Sequence, residues 1–476
     1  MKISKGLKAS FVYTVSSLLS KGLAIITVPI FTRLMSTEQI GIVNLFTSWQ
    51  AMIGSFATLS LTSGGYMLAM KEYKDSRDQY MSSVLTLTSL VSVVLFVFYI
   101  VAHVWVEKIV GLPRSLMLLM LFGFFVSPAT DFWLARQRYE YKYVKAGIIM
   151  IISSVLASLV SIIAIINVSN AGKENLAEIR LVSTNIIVYG IALTIWITTM
   201  LKGKTFINLS YWKYSLKLSI PLIGNSIAMQ ILSVSDRSMI SNIIGNSELG
   251  IYGTLYTVSS LSLIIWSAIN SSFVPFLFEK IDNMDERPRI QSVSTSLMLV
   301  YGLVAFVLTL IAPEIVRILA TEEYYEAIYI MPPIAAGIYF TSISNLYSNI
   351  LIYYKKTNVI MISSITAAVI NLVLNYIFIK LCGYMAAAYT TLIAYIVLAL
   401  MQSIVANNVM KKISNYHDIA VYDNKNLFFI SVGTTLLCMA TLSLYNSTVV
   451  RYTVIGFILI CALIFHKKIF VILKLK

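Results

Sequence analysis

Residues 81–106 read MSSVLTLTSLVSVVLFVFYIVAHVWV, 26 positions without an aspartate, glutamate, lysine or arginine. At 1.5 Å per residue a helix of this run is about 39 Å long, more than the roughly 30 Å of a bilayer's hydrocarbon core. The run therefore reads as a transmembrane helix. Similar windows cover 9–34, 41–68, 114–135, 144–167, 179–201, 216–245, 250–278, 291–319, 326–354, 357–380, 383–410, 427–444 and 450–466. They are too long and too uniformly apolar for barrel strands, which are short and alternate. The expected fold class is an all-α polytopic membrane protein of about 14 helices.

Composition agrees. Of 476 residues, 58% are hydrophobic and 12% charged, with a mean hydropathy of +0.82. A soluble domain carries about 25% charged residues, so this chain lacks the polar surface to cover a globule. Disorder is excluded by the same numbers. At about 20 residues per span, fourteen spans leave roughly 13 residues per connection, too few for a soluble catalytic domain. The basic Met1–Lys8 segment precedes an apolar run without a small-residue cleavage site, and reads as the start of an uncleaved first helix.

A net charge of +15 on a soluble protein would suggest nucleic acid. Here the basic residues follow topology. With the N-terminus in the cytoplasm, 26 of the 36 Lys and Arg fall at cytoplasmic ends and loops and 8 on the outer side. Lys21 and Arg237 lie inside spans. The bias predicts both termini in the cytoplasm, and no nucleic-acid partner.

The chain also repeats itself. Leu34-Met-Ser-Thr-Glu-Gln-Ile-Gly-Ile42 joins spans 1 and 2, and Ile243-Ile-Gly-Asn-Ser-Glu-Leu-Gly-Ile251 joins spans 7 and 8. At an offset of 209, Ile40 matches Leu249, Gly41 matches Gly250, Ile42 matches Ile251 and Lys71 matches Lys280. Six spans per half give both halves the same orientation, the arrangement of transporters built from parallel repeats. The expected domains are an N-terminal six-helix lobe (1–205), a C-terminal six-helix lobe (206–415), and two additional helices with a tail (416–476).

Charges inside a span cost at least about 2.5–3.5 kcal/mol at mid-bilayer and need a reason. Lys21 ends a stripe with Ser10, Thr14 and Ser17 on one face of span 1. Span 7 carries Ser226, Gln230, Ser233, Arg237 and Ser241 at helical spacing, with Asp236 adjoining and Asn225 close. The stripes correspond under the offset, Ser17 to Ser226 and Lys21 to Gln230. Lys21 and Arg237 are cavity-lining or substrate-binding candidates; the competing reading is structural ion pairing with Asp236. Asp236 suits orienting Arg237 or carrying a coupling proton better than touching an anionic substrate. Asn371 and Asn375 share a face of span 11, where they bond substrate hydroxyls or join helices. Arg33, at the outer mouth, snorkels or binds a phosphate. Asp131 is expected to pair with Arg136 and Arg138. Pro29 and Pro221 suit bends in spans 1 and 7.

Other chemistry is missing. Gly203-Lys204-Thr205 lacks the earlier glycine and strand of a phosphate loop, because position 198 is Thr. Cys382, Cys438 and Cys461 and the three histidines are scattered. No disulfide framework, metal site, cofactor or enzyme activity is expected.

Pro29-Ile-Phe-Thr-Arg-Leu-Met-Ser-Thr-Glu-Gln-Ile-Gly41, Asp236-Arg237 followed by Gly245 through Gly250-Ile-Tyr252, Asn371-Leu-Val-Leu-Asn375 and Gly383-Tyr-Met-Ala-Ala-Ala388 resemble bacterial polysaccharide exporters. The family is the Wzx-type O-antigen and capsular repeat-unit flippases. They form the polysaccharide transporter branch of the multidrug/oligosaccharidyl-lipid/polysaccharide superfamily. Alanine at 386, where the family often has glycine, affects packing. The resemblance implies two six-helix lobes around a cationic cavity. It also implies an undecaprenyl-diphosphate-linked oligosaccharide moved from the cytoplasmic to the outer leaflet of the bacterial inner membrane. Lys21 and Arg237 then contact the diphosphate or acidic sugars, a proton or sodium is the coupling ion, and membrane lipids, a polysaccharide polymerase and a chain-length regulator are partners. The rival readings are an ion-coupled drug/cation antiporter, whose cavity favours carboxylates, and a membrane-embedded polymerase, which would carry a sizeable outer loop.

Overall fold

A bilayer holds no water to satisfy backbone groups, so apolar runs of this length must close their hydrogen bonds within helices. A computed structural model describes residues 16, 19–20, 22–62, 65–140, 142–169, 175–413 and 420–473. Among them every regular element is helical. The first half holds α1 (Gly22–Leu34), α2 (Thr37–Ala57), α3 (Gly65–Glu72), α4 (Arg77–Val110), α5 (Arg114–Tyr139), α6 (Tyr143–Ser169), α7 (Leu176–Gly203) and α8 (Leu209–Ile243). There follow α9 (Asn246–Ser259), α10 (Ser262–Lys280), α11 (Arg287–Leu310), α12 (Ala312–Leu319), α13 (Met331–Tyr353), α14 (Thr357–Cys382), α15 (Ala386–Ile413), α16 (Asn424–Leu444) and α17 (Thr448–Leu473).

Among the described residues eleven helices are long and apolar enough to cross a membrane, with α9 and α10 counted together. The two arms of α8, Leu209–Ile220 and Ile223–Ile243, make a twelfth. Shorter apolar helices, Gly22–Leu34 and Thr448–Ile460, stand at the first and last windows of the sequence. The fold is all-α and polytopic. Its outer faces are apolar where water would forbid it: on α4, Val94, Val101 and Val104 are 66%, 81% and 72% exposed. Such a surface is at home in lipid.

Several expected spans are broken: 250–278 divides into α9 and α10, 291–319 divides into α11 and α12, and two further breaks have a cause in the sequence. The expected span 41–68 breaks between α2 and α3, where Leu59 and Ser60 adopt left-handed backbone angles. The Thr58 hydroxyl donates to the Gly54 carbonyl at 2.9 Å, and a run of Thr, Ser and Gly follows, weakening the helix there. The arms of α8 meet at 50° at the position of Pro221, a residue type that donates no backbone N–H to a helix.

Contacts divide the chain into two compact units, Met1–Ile251 and Tyr252–Lys476. The first unit reaches past residue 205 because α8 packs along α2 and α4. Its core includes Tyr66, Tyr80, Met81, Leu85 and Phe132. The second unit centres on Trp266, Phe273, Tyr301, Tyr339 and Tyr422.

Within the second unit α17 is fastened by an ion pair. Arg451, 3% exposed, donates Nη1 and Nη2 to the two carboxylate oxygens of Glu314 at 2.6 and 2.8 Å, and Nη1 also reaches the Leu310 carbonyl at 2.8 Å. Partial burial alone would raise the Glu314 carboxyl, but the Arg451 hydrogen bonds outweigh it and hold it below its ordinary value. A depressed acid stabilises the fold above its unfolded pKa, and that contribution vanishes as pH falls through the folded value. Arg451→Ala is expected to cost about 2–3 kcal/mol, since hydrogen bonds to charged groups contribute roughly 1.5–3. Thermal unfolding of the purified protein in detergent checks this. The wild type should lose part of its margin below the ordinary carboxylate range, and Glu314→Gln should lack that loss.

Candidate functional site

α8 carries the longest polar stripe in a span. It starts where the Asn208 side chain accepts from the Ser210 and Tyr211 N–H groups at 3.0 and 3.2 Å. Beyond the Pro221 bend, no residue from Ile223 to Ser241 is exposed. The polar residues of this arm are therefore buried or half-buried. Asp236 is fully buried, and its Oδ1 accepts the Arg237 backbone N–H at 2.8 Å. Arg237, Gln230 and Asn225 are half-buried on the same arm. The Ser233 hydroxyl donates to the Gln230 carbonyl at 3.2 Å, and Ser241 donates to Asn246 Oδ1 at 2.6 Å. One guanidinium next in sequence to one carboxylate keeps this arm neutral. The guanidinium is a planar fork suited to phosphate or carboxylate oxygens.

The start of α2 and the start of α9 lie against one another, both within the first unit. Gly41 packs on the backbone of Asn246, and Gly250 packs on the backbone of Thr37. A methyl group on either glycine would overlap the facing carbonyl oxygen. Thr37 and Asn246 are themselves 209 residues apart, like Gly41 and Gly250. The contact is thus reciprocal, each repeat's glycine meeting the other repeat's helix start. The Thr37 and Ser247 hydroxyls share a hydrogen bond of 2.7 Å beside it. The repeat read from sequence has a physical counterpart here. The matched glycines allow close backbone approach.

A second correspondence lies at the other ends of these spans. Arg77 Nε donates to the Met70 carbonyl at 2.9 Å, and Arg287 Nε donates to the Ile281 carbonyl at 3.1 Å. In each half an arginine opening the next helix caps the end of the preceding one.

The remaining candidates separate. Arg33 is exposed and its Nη1 donates to the Pro29 carbonyl at 2.8 Å, so it caps the end of α1. Asn371 and Asn375 belong to the second unit and are fully buried. Asn371 Nδ2 donates to the Thr391 hydroxyl at 3.3 Å, Asn375 Nδ2 to Asn371 Oδ1 at 3.0 Å, and the Thr390 hydroxyl donates to Asn375 Oδ1. This chain of amides and hydroxyls joins α14 to α15, the helix-joining alternative of the sequence reading. Lys21, with Ser10, Thr14 and Ser17, lies outside the described residues. One expectation is corrected in part: Arg136 pairs with Asp78 and Glu140 and not with Asp131, while the Arg138 charge does act on Asp131. Asp131 is five residues away, off the Arg136 face, whereas Glu140 is one turn on. Among the described residues no His/Cys/Asp/Glu cluster can hold a metal.

Sequence reading did not single out the packed tyrosines of the first unit. Tyr73 stacks on Tyr80 at 5.2 Å between ring centres, and the Tyr80 hydroxyl bonds Ser215 Oγ at 2.6 Å. It also missed Gln402, whose Oε1 accepts from Ser344 and Ser348 at 2.7 and 2.5 Å. The serines are four residues apart, a signal of one shared face, but nothing local points to their partner on α15.

Comparison with known proteins places these features. A family model described as polysaccharide biosynthesis protein matches residues 7–281, and a MatE model matches residues 221–377. No curated protein gives a significant sequence match. Among solved structures, the lipid II flippase MurJ in an inward closed conformation is similar, with a TM-score of 0.65 at 14% identity. The match covers 97% of this chain and 100% of that one. An inward-facing multidrug resistance MATE transporter of the MOP superfamily gives 0.59 at 14% identity, covering 85% and 96%. A MOP superfamily transporter from Pyrococcus furiosus, described as having reversed polarity in its binding pocket, gives 0.54 at 15% identity, covering 87% and 100%. The fold is thus that of the MOP transporters, and by a match over more than half its length the chain belongs to the polysaccharide biosynthesis protein family.

Proposed function

We propose that this multi-pass membrane protein is a flippase for undecaprenyl-diphosphate-linked oligosaccharides. It moves the repeat unit of an O-antigen, capsule or exopolysaccharide from the cytoplasmic to the outer leaflet of a bacterial inner membrane. The observation that carries the reading is the covered arm of α8, which holds Arg237 and Asp236 inside a chain of the polysaccharide biosynthesis family. A guanidinium suits a diphosphate, and a full-length fold match to a lipid II flippase supports a lipid-linked substrate. Alternating access by the repeat-related lobes 1–205 and 206–415 follows the logic of parallel repeats. Both termini are cytoplasmic in this reading, which the 26-to-8 distribution of basic residues supports. Lys21 and Gln230 join Arg237 as substrate contacts, and Asp236 couples transport to a proton or sodium gradient. A polymerase and a chain-length regulator take the product onward.

The MatE match over residues 221–377 favours a second reading, an ion-coupled drug/cation antiporter. Arg237 argues against it, because a cation is repelled where a diphosphate is held. The test is leaflet accessibility of lipid-linked repeat units in cells lacking the gene. The units should accumulate facing inward, and the wild-type gene should return them to the outer leaflet. Failure of that rescue, with export of cationic dyes instead, would sink the flippase reading.

A further inference from the structure

The basic end of the first unit contains a cleft of about 290 Å³ where the start of α6 meets the ends of α5 and α7, beside the start of α4. Its acids are already engaged. Arg136 pairs with Asp78, and its Nε donates to Glu140 Oε1 at 2.8 Å; Lys142 Nζ reaches Glu140 Oε2 at 2.5 Å. Two further cations line the same cleft, Lys145 and Lys202. Both are exposed, and among the described residues neither is in an ion pair. The cleft thus carries four basic and two acidic side chains. Gln137 also lines it and is 7% exposed.

The surroundings say what kind of anion the cleft takes. On α6, Val144, Ile148 and Ile152 are 55%, 50% and 48% exposed at a spacing of four. On α7, Ile197 and Leu201 are 44% and 67% exposed at the same spacing. An exposed aliphatic stripe therefore runs along each helix away from the lysines. An anion with acyl chains satisfies both halves at once, and a free anion satisfies only one.

We propose that this cleft is a binding site for the phosphate headgroup of an acidic phospholipid, held by Lys145 and Lys202 with its chains along the α6 and α7 stripes. The site stands apart from Arg237 and does not depend on the transport reading. Basic pockets between spans recognise anionic headgroups in this way, each cation contributing about 1 kcal/mol near the surface.

The test uses the full chain in nanodiscs, with lipid retention read by native mass spectrometry after extraction. Phosphatidylglycerol should be retained by the wild type, and Lys145→Gln with Lys202→Gln should weaken it about 30-fold, which is about 2 kcal/mol at 1.4 per tenfold. The double arginine variant should keep binding, and phosphatidylcholine should bind both proteins equally weakly. Equal retention of phosphatidylglycerol by wild type and glutamine variant would overturn the site. Displacement of the lipid by millimolar inorganic phosphate would overturn its assignment to a lipid.

Discussion

Gly41→Ala is expected to cut rescue of repeat-unit export at least tenfold and to lower the unfolding midpoint, while Gly190→Ala leaves export unchanged and raises the midpoint slightly. Two effects oppose each other at residue 41. Alanine is the better helix former by about 1 kcal/mol, which favours the variant. Against it stands the methyl group, which would overlap the Asn246 carbonyl oxygen. Overpacking a well-filled contact costs roughly 1–3 kcal/mol when side chains can shift. Here the obstacle is backbone at the start of α9, so the whole helix must move, and the clash wins. Gly190 isolates the propensity term, because nothing lies within 4 Å of its added methyl. Gly250→Ala should reproduce the loss through Thr37. Since either methyl opens the same gap, the double variant should cost less than the two losses added. A Gly41→Ala protein with wild-type unfolding and export would show that this contact is loose in the working protein.

The same glycines show how far the sequence could be read. Their offset of 209 was visible as a repeated string, because each half must turn at the same place. That they touch was not visible, since contact depends on how helices far apart in the chain pack. Asn371 and Asn375 behave alike. Their spacing of four declares one face, but the Thr390 and Thr391 partners come from the next helix. Apolar windows were legible because a bilayer imposes length and composition directly. The break after α2 was not, because Thr58 to Gly65 is apolar enough to pass as span and fails only through hydroxyls bonding backwards and through glycine. For Arg136 the sequence reading offered one acid, Asp131, because it lies close in the chain. Geometry selected Asp78 and Glu140, one of them 58 residues away. At the candidate site, the charges of α8 stood out because charges are costly there, whereas their cover needed the structure.

Asp236→Asn should yield a folded protein at normal level with at least tenfold less transport, and Arg237→Ala should lose as much. Asp236 is fully buried, so its charge is tolerated only because partners surround it. Asparagine keeps the shape and keeps an oxygen for the Arg237 N–H, so the local hydrogen bond of 2.8 Å survives. What disappears is the negative charge that balances Arg237 and the ability to take up a proton. Asp236→Ala also removes the acceptor and should lower the midpoint of thermal unfolding, which separates the structural part from the electrostatic one. For Arg237, a lost charged hydrogen bond to a diphosphate is worth about 1.5–3 kcal/mol, or roughly 10- to 150-fold in affinity. Arg237→Lys keeps the charge but loses the fork, and should fall between wild type and alanine. Leaflet accessibility of the repeat unit, measured at matched protein levels with the ion gradient present and collapsed, reads all four variants. If Asp236→Asn transports normally and still responds to the gradient, coupling runs through another group. If Arg237→Ala transports normally, α8 does not hold the diphosphate.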